Sequence, residues 1–466
     1  MKPKKITNRT YKRRILKKGV ASVMLINMLC FSVLPAAVLA EGTNAVQTQA
    51  AAATTSTSQL NVALPQAPQL NVKSAVLIEA STGQVLLSTG NSNEPLPPAS
   101  MTKMMTEYIV ADLVKQGKLS WDTVVTVKEN AAKSIGSRIF LAEGDKHTVK
   151  ELYIAMAVGS ANDATVALAE HVAGSEQAFV KMMNDEAKRM GLKTAYFANA
   201  TGLSIADMPE KYQPADKSKE TVMSAMDAAI LARNIVEDHP DFKDFTTIQS
   251  YKFRERDKKP IINYNWMLEA NASNQNFKKY AYPGLDGMKT GHTNAAGQCF
   301  TGTAERNGMR LISVVMGADS EGHRFTETAK VLDYGFNNFE VKQVVAPKST
   351  VKGAETVDVK KGKDKSVPLV TDQEVKFALP KGADLSKVTS KVSLTEQGKL
   401  TAPVKAGTKV GTVTYSYKVD GSNQTLQKTV NLITAQEVEK AGWFKLFLRA
   451  IGDFFSDLFN SIKNLF

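Results

Sequence analysis

The rhythm of apolar residues changes several times along this chain, and the changes divide it. Two apolar runs in SAVLIEASTGQVLLSTG flank Ser81-Thr82-Gly83, which predicts a β-hairpin. From Met101 the apolar residues Met101, Met104, Met105, Tyr108, Ile109 and Leu113 recur at helical spacing. TVKELYIAMAVGSANDATVALAEHVAG predicts a helix, a break at Gly159-Ser160 and a second helix. AFVKMMNDEAKRMG predicts another, closed by Gly191. The pattern turns to strands in MKTGHTNAAGQCFTGTAERNGMRLISVVMGA, with Lys289-Thr290-Gly291 opening a strand and Arg306-Asn307-Gly308 as a hairpin turn. HRFTETAKVLDYGF returns to helix. Residues 69–338 therefore mix helices with antiparallel strands, an α+β domain.

Helical periodicity then vanishes. Short alternating runs rich in Lys and Val, with an Asp420-Gly421 turn, predict a small all-β, sandwich-like domain over 339–434. The segment 435–466 reads as an amphipathic helix. Phe444, Phe447, Leu448, Ile451, Phe455, Leu458, Ile462 and Leu465 share one face, and Lys445, Arg449, Asp453, Asp457, Asn460 and Asn464 fall largely on the other. A spanning helix wants about 20 mostly apolar residues, and charges interrupt this one every few positions. A helix lying in a membrane interface is the expectation; the alternative is packing on a domain or a partner.

The net charge of +13 suggests nucleic acid until its location is noted. Nine of the cations lie between Lys2 and Lys18, which leaves 13 − 9 = +4 for the remainder, too mild for that reading. The basic start runs into an apolar stretch ending Val38-Leu39-Ala40, so residues 1–40 read as a secretory signal peptide rather than a retained membrane helix. Leu29 before Cys30 argues against a lipoprotein. Residues 41–68 are Ala, Thr, Ser, Gln and Asn with few large apolar groups, and read as a flexible spacer. After cleavage only Cys299 remains, which excludes an internal disulfide; with 5 histidines and no HExxH-like pair, no metal or other cofactor is expected. Cys299 itself reads as a small buried hydrophobe. The exported protein is placed at the outer face of the cytoplasmic membrane, and the long basic leader with the Lys-rich β-domain points to a Gram-positive source.

Candidate chemistry begins in PPASMTKMMT. A serine hydroxyl needs a base, and a lysine three residues later on a helix is within reach if burial and a second cation keep it neutral. The spacing alone is weak. It occurs at Ser100/Lys103 and again at Ser349/Lys352, the latter in a β-patterned junction with no helix to align it. The first pair gains meaning from single occurrences of S-x-N, at Ser160-Ala161-Asn162, and of K-T-G, at Lys289-Thr290-Gly291. The plainer readings are helix caps for Ser100 and Ser160, a surface strand lysine for Lys289 and a structural Arg324.

These motifs, with LIEASTGQVL, VGSANDA, FANATGL, GLDGMKTGHTNAAGQCF and LDYGF in matching order, resemble the low-molecular-mass penicillin-binding proteins, the serine-type D-alanyl-D-alanine carboxypeptidases. The resemblance covers residues 69–434, and the β-domain and tail match that family's usual C-terminal half. It implies a β-lactamase/transpeptidase-like catalytic fold. It also implies that Ser100 attacks the D-Ala-D-Ala carbonyl of peptidoglycan stem peptides, with Lys103 as base. Ser160 would pass a proton to the leaving D-alanine, and Asn162 would orient Lys103 and the substrate amide. Lys289 would supply positive field, Thr290 of the Lys289-Thr290-Gly291 motif and Arg324 would hold the substrate carboxylate, and the backbone N–H groups of Ser100 and His292 would form the oxyanion hole. β-Lactams would trap the same serine. Three rivals remain: a D,D-endopeptidase or transpeptidase with the same acylation chemistry, a class A-like β-lactamase, for which no convincing deacylating E-x-x-x-N element appears, and a non-catalytic surface-binding protein, against which the intact triplet argues.

Overall fold

A computed structural model describes residues 64–395 and 399–463. The expected signal peptide and nearly all of the expected spacer lie outside the described residues.

Five antiparallel strands form the main sheet: β1 (Ser74–Glu79), β2 (Val85–Gly90), β3 (Leu285–Thr293), β4 (Gly297–Arg306) and β5 (Met309–Ala318), in the order β2-β1-β5-β4-β3. The first two form the expected hairpin, with Gly83 at positive φ in the turn. Asn307 and Gly308 both take positive φ between β4 and β5, which suits the right-handed twist of a tight hairpin. Strand β1 is buried on both faces. Ala75 and Leu77 pack with Leu311, Val315 and Phe300 towards α6 (Glu321–Asn338), as defined below, whereas Val76 and Ile78 join Met104, Met105, Ala228 and Leu231 on the opposite face. A strand covered on both sides loses the polar alternation of a half-exposed one.

The longer helices of this part in chain order are α1 (Lys103–Lys115), α2 (Val149–Gly159), α3 (Asn162–Ala173), α4 (Glu176–Met190), α5 (Ala225–Asp238) and α6. A capping box between Thr148 and Glu151 starts α2. Gly191 in the left-handed region ends α4 as expected. Helices α2 and α3 build a separate lobe around Leu152, Val158, Leu168 and Phe245. Two corrections concern boundaries. Lys289-Thr290-Gly291 lies inside β3 rather than opening it, and the run starting at Met101 begins within a 3-10 turn, Ala99–Thr102, that leads into α1 at Lys103.

That turn is held from two sides by glycines. A Cβ on Gly291 of β3 would meet Pro98 O at 2.5 Å, and one on Gly202, at φ +80, would meet Ala99 O at 1.9 Å. Strand and loop can therefore approach the turn only because both residues lack side chains.

From Phe339 the chain is β-rich. A six-stranded sheet and the pair Phe339–Val345 with Val375–Pro380 share one core that includes Val357, Leu369, Phe377, Val413 and Leu432. Gln84 joins the β1-β2 hairpin to this part through two bonds with the Ala378 backbone, at 2.7 and 3.1 Å. The expected helix from 435 begins later. Val438 pairs with Val404 and is buried with Ala441, and α7 runs only from Trp443 to Lys463. Its polar side meets the β-domain, with Arg449 donating to Gly362 O and Lys363 O at 2.7 Å each. Its aromatic residues Trp443, Phe444, Phe447, Phe454, Phe455 and Phe459 stay exposed. Among the described residues no helix is long and apolar enough to cross a membrane.

Gly202→Ala should destabilise the protein by about 1–2 kcal/mol from the left-handed backbone alone, and by more because the turn must move. Thermal unfolding measures this; an unchanged Tm would show that the turn is not held as described.

Candidate active site

In a 3-10 turn residues three apart eclipse each other, so Ser100 and Lys103 stand one above the other. Lys103 Nζ lies 2.9 Å from Ser100 Oγ, 2.7 Å from Asn162 Oδ1 and 3.0 Å from the Thr201 carbonyl oxygen. The last two are acceptors only. A neutral amine has two N–H donors and one lone pair, so satisfying both acceptors turns the lone pair towards the Ser100 hydroxyl. Lys103 is wholly buried, and burial followed by the repulsion of Lys289 brings its pKa well below the usual lysine range; Glu107 and Asp163 pull the other way.

The neighbours hold this geometry. Asn162 opens α3, and its Nδ2 donates to Ile135 O at 2.6 Å, which fixes the amide with Oδ1 towards Lys103. Thr201 belongs to FANATGL, where Asn199 Oδ1 accepts from the backbone N–H groups of Thr201 and Gly202 at 3.1 and 2.7 Å. Ser160 ends α2 in the left-handed conformation, φ 53 and ψ 31, with a buried Oγ that has no hydrogen-bond partner in the protein. Such a conformation is strained for serine, and it occurs where the side chain borders the cleft. Neither serine is an N-cap: Pro98 and Ala161 occupy those positions and make no side-chain cap bonds, and Ser160 is instead the C-cap of α2.

Strand β3 supplies the opposite wall. Lys289 is buried, and burial brings its pKa down to about 8. Thr290 is buried beside it, and the His292 ring is exposed. Arg324, from the first turn of α6, donates to Gln298 Oε1 at 2.7 Å, Glu321 Oε1 at 3.0 Å and Gly291 O at 3.4 Å, while burial lowers its pKa to about 10. Ser100, Ser160, Thr290, Gly291, His292 and Arg324 line one cleft of about 330 Å³, together with Ser137, Tyr264, Gln298 and Glu321. Lys103 and Asn162 sit behind Ser100. All nine residues expected from the sequence thus converge.

The second S-x-x-K does not assemble. Ser349 Oγ donates to Ala346 O at 2.7 Å and both Ser349 and Lys352 belong to the surface of the β-domain. Cys299 is fully buried, and burial pushes its thiol up to about 11, which fits a packing role. Thr201, Ser137, Tyr264, Gln298, Glu321 and Glu107 were not legible as site residues. Thr201 and Gln298 lay within the quoted FANATGL and GLDGMKTGHTNAAGQCF motifs without a role, and Glu107 stands four residues after Lys103 on one helix.

Residues 61–320 match the family model described as D-alanyl-D-alanine carboxypeptidase, and residues 339–440 match that of the penicillin-binding protein 5 C-terminal domain. The chain is 36% identical to the D-alanyl-D-alanine carboxypeptidase DacF of Bacillus subtilis over 82% of this chain and 89% of that protein. It is 34% identical to DacD of Escherichia coli over 75% and 83% respectively. Among solved structures, penicillin binding protein 5 from Haemophilus influenzae superposes with a TM-score of 0.65 at 31% identity, covering 81% of this chain and 100% of that one.

Nitrogen-15 NMR of the lysine side chains should find Lys103 titrating below the surface lysines. In Lys289→Met a like charge is gone, so the Lys103 pKa should rise, by about 1 unit. No change on that substitution would mean that Lys289 does not act on the base.

Proposed function

The chain belongs to the D-alanyl-D-alanine carboxypeptidase family and is a serine-type carboxypeptidase; we propose that its reaction runs through an acyl-enzyme on Ser100, cutting the terminal D-alanine from peptidoglycan stem pentapeptides and so limiting cross-linking. The observation that carries this is the contact between the buried Lys103 amine and Ser100 Oγ, with both other Lys103 partners able only to accept.

Ser100 Oγ attacks the carbonyl carbon between the two D-alanines as its proton moves to Lys103 Nζ. The N–H groups of Ser100 and His292 receive the oxyanion; such a donor is typically worth about 10²–10³ in rate. Collapse breaks the C–N bond, and the departing amine takes a proton by way of Ser160, whose Oγ has no partner of its own in the protein. Asn162 keeps the Lys103 amine in place. Lys289 supplies positive field, and Thr290 with Arg324 holds the terminal carboxylate at the edge of β3, where Gly291 allows close approach. Water, deprotonated by Lys103, then releases the shortened peptide. β-Lactams acylate the same serine and stay. The relatives named above are carboxypeptidases, so the transpeptidase, endopeptidase and β-lactamase alternatives are not favoured.

The tail sets the location. In α7 the polar face meets protein and the aromatic face does not, the reverse of ordinary packing. That supports an exported enzyme lying against the outer face of the cytoplasmic membrane, held by an interfacial helix.

Two tests follow. Mass spectrometry should place a penicillin adduct on Ser100, and Ser100→Ala should lose both the adduct and D-alanine release from a pentapeptide; labelling that persists would move the nucleophile elsewhere. Removing residues 443–466 should shift the protein from sedimenting with lipid vesicles to the supernatant at unchanged peptidase activity; continued sedimentation would rule out α7 as the anchor.

A further inference from the structure

Glu107 lies four residues beyond Lys103 in α1, hence on the same side of the helix, and is only 3% exposed. It belongs to none of the three motifs. Its Oε1 is buried without a hydrogen-bond partner. Leaving a buried acceptor unsatisfied is destabilising, more so if it is charged, so an unpaired carboxylate oxygen in this position needs a reason.

The reason lies in what surrounds it. Two cations act on Glu107: Lys289 from β3 and Lys103 from its own helix. Tyr153 of α2 donates its hydroxyl to the Glu107 backbone oxygen at 3.4 Å, and burial followed by the charges of Glu107 and Asp241 holds that hydroxyl well above the usual tyrosine range, so it stays neutral. Asp163 of α3 bears on Lys103, but its oxygens already accept from the N–H groups of Ile139, Leu141 and Ala164. Arg324 of α6 acts on Lys289 and has Glu321 as its own partner. Glu107 is therefore the uncommitted carboxylate beside both lysines. Its charge does not act on them equally. On Lys289 it is the leading charge influence; on Lys103 the repulsion of Lys289 comes first and Glu107 second.

We propose that Glu107 is a positioning residue for the acylation reaction: it holds the proton on Lys289 while Lys103 remains the free base. This rests on the reading of Lys103 as base and Lys289 as positive field. Two buried amines with similar surroundings would otherwise compete to be the neutral one. An anion that favours protonated Lys289 separates their roles, and the retained charge on Lys289 in turn keeps Lys103 neutral. Burial raises the Glu107 carboxyl to about 7. It is therefore charged on the alkaline side of neutrality, where Lys289 would lose its proton, and largely uncharged on the acid side.

That asymmetry gives the test. The rate constant for acylation of Ser100 by a chromogenic cephalosporin is measured against pH in the wild type, Glu107→Gln, Glu107→Ala and Glu107→Asp, with melting curves as a check on folding. In Glu107→Gln the alkaline limb should move to lower pH by about 1 unit, the effect of removing one nearby opposite charge. The acid limb should stay in place, and Glu107→Asp should restore the wild-type profile. Glu107→Ala reads the same shift if Glu107→Gln does not fold. A loss of rate that is uniform across pH, or an alkaline limb that does not move, overturns the proposal and leaves Glu107 a packing residue. A wild type that is not acylated at all would instead refute the Ser100 reading itself.

Discussion

The proposed chemistry depends on keeping one lysine amine in a dry place without its proton. Water would restore the ordinary basicity of Lys103, and a protonated amine has no lone pair for Ser100. Burial does most of this and the neighbouring cation Lys289 adds to it. The surrounding architecture serves that condition. The two core clusters that meet at α1 exclude solvent, Asn162 and Thr201 give the amine its two acceptors, and β3 carries the second lysine up to the same place.

This explains why the structure tolerates local costs around the cleft. Ser160 sits in a left-handed conformation, and two glycines are pressed against backbone oxygens of the turn that carries Ser100. Each cost fixes the placement of a residue that borders the cleft or of the turn that carries Ser100, and reactions between held groups depend on such placement. Among the described residues of the β-domain no buried side-chain polar atom lacks a hydrogen-bond partner. Its core is ordinary apolar packing, and its partner helix α7 turns an aromatic face outwards.

Some of this was legible in the chain. Hairpin turns at Gly83 and Asn307-Gly308, the helix stop at Gly191 and the break at Ser160 follow from local backbone preference, which a few residues encode. The motif triplet likewise named seven residues and the family resemblance added His292 and Arg324, and the fold gathers all of them in or directly behind one cleft. Misplaced boundaries have a physical cause. Val438 and Ala441 look like the start of a helix, but long-range pairing with Val404 holds them in the β-domain.

By itself, then, the sequence determined the class of fold, the choice of Ser100 with Lys103 as the candidate pair, and the amphipathic character of the tail, because these rest on spacings of a few residues and on the motifs that accompany them. Only the tertiary structure shows how differently the two S-x-x-K pairs are set, since Ser349 Oγ is committed to Ala346 O and Lys352 is exposed, whereas Lys103 Nζ is buried against Ser100 Oγ. It alone brought Thr201 and Glu107 to the lysines, through contacts between residues far apart in the chain and through burial. A proton's affinity for an amine depends on every charge and dipole around it, and those neighbours come from strands, loops and helices that no local pattern joins.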